Sequence, residues 1–185
     1  MDKQKNNEPH PFLKFLFSLS PEKDRGVFAD LRRGFSKTTE MRSWSYIGRF
    51  CNLNNDEERI VYQTIAAGFA TNPEIDNTPY ENWGSTMRKL AKEGSDENKT
   101  FDVYFRRILA CNSVEDVCER LRAPIIASKS KSVSVPWESL FWDLLRWNER
   151  AEEIKTRWAA NYWGVPRDCD PVSIDQESEE EESLQ

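Results

Sequence analysis

Apolar side chains recur three and four residues apart through most of this chain, and that spacing admits little besides amphipathic helices. Phe12, Phe15, Leu16 and Leu19 form the first such stripe, over 11–19. Ser20, Pro21 and Glu22 read as the start of a second helix: a cap residue, a proline at the first position, then an acid. It should run to about Arg33 and stop at Gly34. Thr39 is placed to cap a third helix carrying Trp44, Ile47 and Phe50. Asn55 to Glu58 resembles a capping box for a fourth, with Ile60, Val61, Thr64, Ile65 and Phe69 inward.

Asn72-Pro73 and Thr78-Pro79 make 71–80 a loop, the best boundary between two helical halves. A helix over about 81–93 follows and closes at Gly94. Phe101, Tyr104, Phe105 and Ile108 share one face of the next. Ser113 starts another with Val117, Cys118, Leu121 and Ile125, which Pro124 should kink or end. Residues 128–134 read as a mobile basic loop, and Pro136 opens a helix with Trp137, Leu140, Phe141, Leu144 and Leu145 inward. Ala151, Ile154, Trp158 and Tyr162 define the last. The expectation is therefore all-α: eight or nine helices in two small bundles, 11–80 and 81–165. A flexible 1–10 precedes them and an acidic, disordered tail over 166–185 follows. There is no internal repeat.

A chain of 185 residues buries roughly 70% of its unfolded surface, so a real core is available. Seven Trp, ten Phe and five Tyr supply it, and Trp137, Trp147 and Trp158 fall at core spacing. Trp44 and Trp83 are less constrained. No apolar run approaches the roughly 20 residues of a membrane span, and the first seven residues do not read as a secretory signal. Cys51, Cys111, Cys118 and Cys169 have no C-x-x-C spacing and no nearby histidine. They read as reduced thiols in a reducing compartment, Cys111 and Cys118 as small buried groups.

Catalytic patterns are missing. The seven glycines are scattered singly, with no phosphate cradle, G-x-S-x-G or H-E-x-x-H. His10 reads as a plain surface residue. Adjacent acids such as Glu115 and Asp116 sit in first turns, where they offset the helix dipole. No metal, cofactor or catalytic residue is expected.

Charge is unevenly spread. Eight acids and no Lys or Arg lie from Asp168 onward, leaving 26 basic against 24 acidic residues before it. Within that mildly basic part, cationic residues come in pairs: Arg32 and Arg33, Arg88 and Lys89, Arg106 and Arg107, Arg120 and Arg122, Lys129 and Lys131, with Arg146 alone. Long cationic side chains of this kind suit phosphate oxygens. Each pair taken singly also reads as an ordinary solvated face; Asp102 and Arg106, for instance, form an i, i+4 pair.

The order of several segments resembles a known family. Phe28-Ala29-Asp30-Leu31-Arg32-Arg33-Gly34 is followed by Phe105-Arg106-Arg107-Ile108-Leu109-Ala110 and by Ser113 to Val117. Then come Val135-Pro136-Trp137, Asp143 to Trp147, and Arg157 to Trp163. This resembles the CasB family, the small subunit of the type I-E CRISPR surveillance complex Cascade, over about 11–163. The resemblance implies a cytoplasmic, non-enzymatic, all-α subunit of two helical bundles in an antiviral ribonucleoprotein. Two copies would lie beside the guide RNA and the backbone subunits, near the large subunit. Their basic surface would hold the guide RNA–target DNA hybrid and the displaced DNA strand, with sequence choice left to base pairing. Matching basic positions here are Arg32, Arg33, Arg88, Arg106, Arg107, Arg122 and Arg146. The acidic tail has no counterpart in that resemblance. A different reading is a helical protein-interaction scaffold without nucleic-acid contact, using Trp44, Trp83 and Trp163 as contact patches.

Overall fold

The computed structural model describes residues 9–92 and 97–164. Among them are nine α-helices: α1 (Pro11–Ser18), α2 (Arg25–Arg32), α3 (Met41–Ile47), α4 (Asp56–Thr71), α5 (Trp83–Lys92), α6 (Glu97–Leu109), α7 (Val114–Ser130), α8 (Trp137–Leu145) and α9 (Trp147–Trp163). A 3₁₀ turn, Arg33–Phe35, continues α2. No strand occurs among the described residues, only one isolated parallel bridge between Ile75 and Val135. The acidic tail and Gly94 lie outside the described residues.

Local chemistry sets several boundaries. The Asn55 side chain accepts from the Glu58 amide at 3.2 Å and caps α4. Ser113 does the same for Asp116 at the head of α7. Elsewhere the start shifts. Ser20 does not cap α2; its amide donates to the Asp24 carboxylate at 2.8 Å, a turn fills 21–23, and the helix begins at Arg25. Thr39 turns its hydroxyl toward the Arg33 carbonyl, and α3 begins at Met41.

The largest departure from expectation is α7. It neither ends nor breaks at Pro124 but runs on to Ser130, so Lys129 is helical. A proline inside a helix costs about 3 kcal/mol, and burial of Leu121, Pro124, Ile125 and Ser128 in the core outweighs it. The following segment is tied down as well. Buried Asn72 donates from Nδ2 to the Ser128 hydroxyl and to the Val133 carbonyl, both at 2.8 Å. Its own carbonyl accepts from the Trp137 indole at 3.2 Å. One residue, through its side chain and its backbone carbonyl, thus fastens the ends of α4 and α7 to the start of α8. Asn72→Ala leaves the Val133 carbonyl without that donor. It should cost about 1–3 kcal/mol, the usual penalty for a buried group left unpaired, read as a lower urea midpoint at unchanged slope.

α4 is the central helix, buried from Val61 to Ala70. It packs most heavily on α7, and also on α2, α3 and α8. Thr64 meets Cys118, Gly68 faces Ile125 and Asn72 meets Ser128, so α4 and α7 run in the same direction. α5 lies along α9, with Asn82 bonded to the Arg157 carbonyl and Ser85 to Asn161. Trp83, Trp137, Trp147 and Trp158 are all fully buried. Trp83 is therefore core and offers no contact patch.

His10 is not a plain surface residue. Its Nδ1 accepts from the Phe12 amide at 3.2 Å and caps α1, while its ring packs on Tyr62, Phe141 and Trp142. Partial burial holds its pKa below the ordinary value.

Asp143 is the one buried carboxylate of α8. It accepts from the Trp158 indole at 2.6 Å and pairs with Arg157. Burial raises its pKa, and the Trp158 and Arg157 bonds only partly offset this. A carboxyl with a raised folded pKa binds protons more tightly folded than unfolded. It adds stability at low pH and loses it as pH climbs from about 3.8 through the raised value. Asp143→Asn should remove this slope from a stability–pH curve; an identical slope in both proteins counts against the assignment.

Candidate nucleic-acid interface

The eleven candidate cations fall into three states, and the state follows from what each helix faces. Three are neutralised. Lys89 sits 2.7 Å from Asp76 and 3.1 Å from Glu81. Burial works to lower its pKa, but the two carboxylates outweigh that and hold it above the ordinary lysine value. Lys129 pairs with Glu74 at 3.6 Å, because α7 carries it over the loop that follows α4. Arg106 donates to Asp102 at 2.7 Å, and its guanidinium lies 4.9 Å over the exposed Trp163 ring.

Others rest on backbone carbonyls or aromatic rings. Arg32 donates to the Ala70 carbonyl at the end of α4. Arg122 donates to the Phe35 carbonyl at 3.0 Å and rests 5.9 Å over the same ring. Lys131 and Arg146 lie over the Phe101 and Trp142 rings. Such contacts hold a cationic side chain in place, and Arg32, Arg122 and Arg146 have no ion pair among the described residues.

Arg33, Arg88, Arg107 and Arg120 have no ion pair among the described residues. Arg33, Arg107 and Arg120 are exposed, whereas Arg88 is half-buried.

Two groupings result. α6 and α7 form an antiparallel pair, which brings Arg107 and Arg120 to the same cleft of about 430 Å³. Ala110, Cys111, Asn112 and Asp116 complete its lining. Arg120 thus turns toward α6, while Arg122, two residues on and on the other side of α7, reaches Phe35 beside Arg33. Arg122 thus lies against the 3₁₀ turn that begins at Arg33, a second and looser grouping, while Arg32 turns to the Ala70 carbonyl. Lys89 on α5 and Arg146 at the α8–α9 joint belong to neither grouping.

Asn112 was not among the sequence candidates, although it offers an amide beside two guanidinium groups. Nothing in a lone asparagine after a helix end marks it. The Cys111 thiol is pushed up by burial, which Arg120 partly offsets, and Cys118 is pushed up by burial to about 12. Both thiols are therefore protonated at neutral pH. Among the described residues no group of three or more His, Cys, Asp or Glu could hold a metal ion. No helix among them is long and apolar enough to cross a membrane.

The fold defines a class: all-helical proteins built around a central buried helix, here α4. A family model described as CRISPR-associated protein Cse2 matches residues 27–163, and the chain belongs to that family. The family comprises the CasB subunits of type I-E CRISPR Cascade, so other Cascade components are its partners. Two solved structures share the fold. CasB from M. ruber aligns with a TM-score of 0.62 at 22% identity, covering 82% of this chain and 90% of that one. CasB from Thermus thermophilus aligns with a TM-score of 0.60 at 21% identity, covering 83% and 94%. A search of curated proteins finds no match.

Proposed function

We propose that this chain is the non-catalytic small subunit of a type I-E Cascade, and that its basic surface steadies the guide RNA–target DNA hybrid and the displaced strand in antiviral defence. The observation that carries this is the Arg107–Arg120 cleft, which two exposed arginines from different helices line without an ion pair to any carboxylate of the described residues. Arginines meeting in this way suit phosphate, and nothing about them selects a base. Arg32, Arg33 and Arg122 extend the same chemistry toward α2. A second copy of the chain alongside the first would lengthen the track.

Scaffolding without strand contact is favoured by a different observation. Ile126 and Trp163 are each 47% exposed and Tyr80 is 77% exposed, a supply of apolar contacts for neighbouring subunits. The two readings separate in the assembled complex. Arg107→Glu with Arg120→Glu should leave assembly intact and expose the displaced strand to a single-strand nuclease. Undiminished protection in that complex would leave only the scaffold.

A further inference from the structure

The chain leaves the described fold against α6, the helix that carries Arg107. Tyr162 stacks on Phe105 with ring centroids 4.3 Å apart, and Trp163 lies 5.4 Å from the same ring. The Trp163 indole donates to Asp102 at 3.2 Å, and Arg106 covers its ring. The last turn of α9 is thereby fastened to α6, one residue along from Arg107. Beyond Gly164 come 21 residues that include eight acids, four of them consecutive at Glu179 to Glu182.

Reach and charge both match. Asp168 is four residues past Gly164, a span of up to about 13 Å when extended. Glu179 to Glu182 begin fifteen residues past it, with a typical reach of roughly 20 Å for a flexible chain. Arg107 is the neighbour of Arg106, which already touches Trp163, and Arg120 shares its cleft. Among the described residues the nearby carboxylates do not pair with these arginines: Asp102 serves Arg106 and Trp163, and Asp116 lines the cleft without an ion pair to Arg120. A tethered anion needs little intrinsic affinity, because a short linker sets its effective concentration in the millimolar range.

We propose that the acidic segment after Gly164 docks on the Arg107–Arg120 cleft and competes there with nucleic-acid phosphate. The competition rests on the strand-binding reading; the docking does not. The segment mimics a strand in charge alone, so it suppresses loose, low-affinity contacts and yields to a strand held in place by other subunits.

The test begins without nucleic acid. Reaction of Arg107 and Arg120 with phenylglyoxal is followed by peptide mass spectrometry in the full chain. The same is done in full chain carrying Glu179→Gln, Glu180→Gln, Glu181→Gln and Glu182→Gln, with Arg33 as internal reference. Docking predicts that both arginines react about threefold faster in the variant, and that the difference fades in 0.5 M salt, where screening lengths fall to a few Å. Equal rates at low salt overturn the docking. The two proteins are then titrated with a thirty-residue oligothymidylate at low salt. Competition predicts binding on the order of fivefold tighter for the variant. With the arginine rates differing, equal affinities overturn the competition. Absence of any oligonucleotide binding by either protein overturns the strand-binding reading and leaves the docking to be judged on the arginine rates alone.

Discussion

Gly84→Ala is expected to unfold much of this protein at temperatures the native chain survives. A Cβ built on Gly84 would lie 1.9 Å from the Trp158 carbonyl oxygen and 2.7 Å from its carbonyl carbon. Those are backbone atoms in the middle of α9, so no side-chain rotation relieves the clash. α5 and α9 would have to separate, and Trp158, whose indole bonds Asp143, would be drawn out of its place. Overpacking against soft side chains costs about 1–3 kcal/mol, and a backbone clash belongs at or beyond the top of that range. At roughly 2–4 °C per kcal/mol for a chain of this size, the midpoint should fall by about 6–12 °C or more. Gly26→Ala is the control. Nothing lies within 4 Å of a Cβ there, and an exposed helical alanine should be neutral or stabilising by up to about 1 kcal/mol. Equal melting curves for the two variants would show that the α5–α9 approach is not rigid.

The same glycine shows where reading a sequence stops. Caps at Asn55 and Ser113 were legible because donor and acceptor lie three residues apart. The i, i+4 pair of Asp102 and Arg106 was legible for the same reason. Core tryptophans announced themselves by period. What stayed hidden involves partners far apart in the chain. Pro124 reads as a breaker until the core buries it. Gly84 reads as an unremarked glycine until α9 lies against it. Asn72 is a loop residue until Ser128, Val133 and Trp137 converge on it. The candidate cations divide along this line. Lys89 and Arg88 are indistinguishable as letters, and only the folded loop sets Asp76 against the first of them. The family resemblance conveyed the fold because it rests on the order of many segments. It did not sort free arginines from paired ones, since that depends on which acid each helix happens to face.

That division yields the sharpest test of the interface, because two double variants can remove equal charge and differ only in what the charge was doing. Lys89→Gln with Lys129→Gln deletes two cations already matched to carboxylates. Arg107→Gln with Arg120→Gln deletes two that have no ion pair among the described residues. Net charge falls by two in each, so any effect of the overall field is shared. Single-strand binding loses about 0.7 from the log–log salt slope for each phosphate contact removed. The arginine variant should therefore show a slope shallower by about 1.4 and the weaker binding at low salt, while the lysine variant keeps the native slope. Melting curves on both proteins keep a loss of fold apart from a loss of contact, since Lys89 also braces the loop at Asp76 and Glu81. Equal slopes in the two variants would mean that strands feel only the net charge. The Arg107–Arg120 cleft would then be a surface feature and no phosphate site.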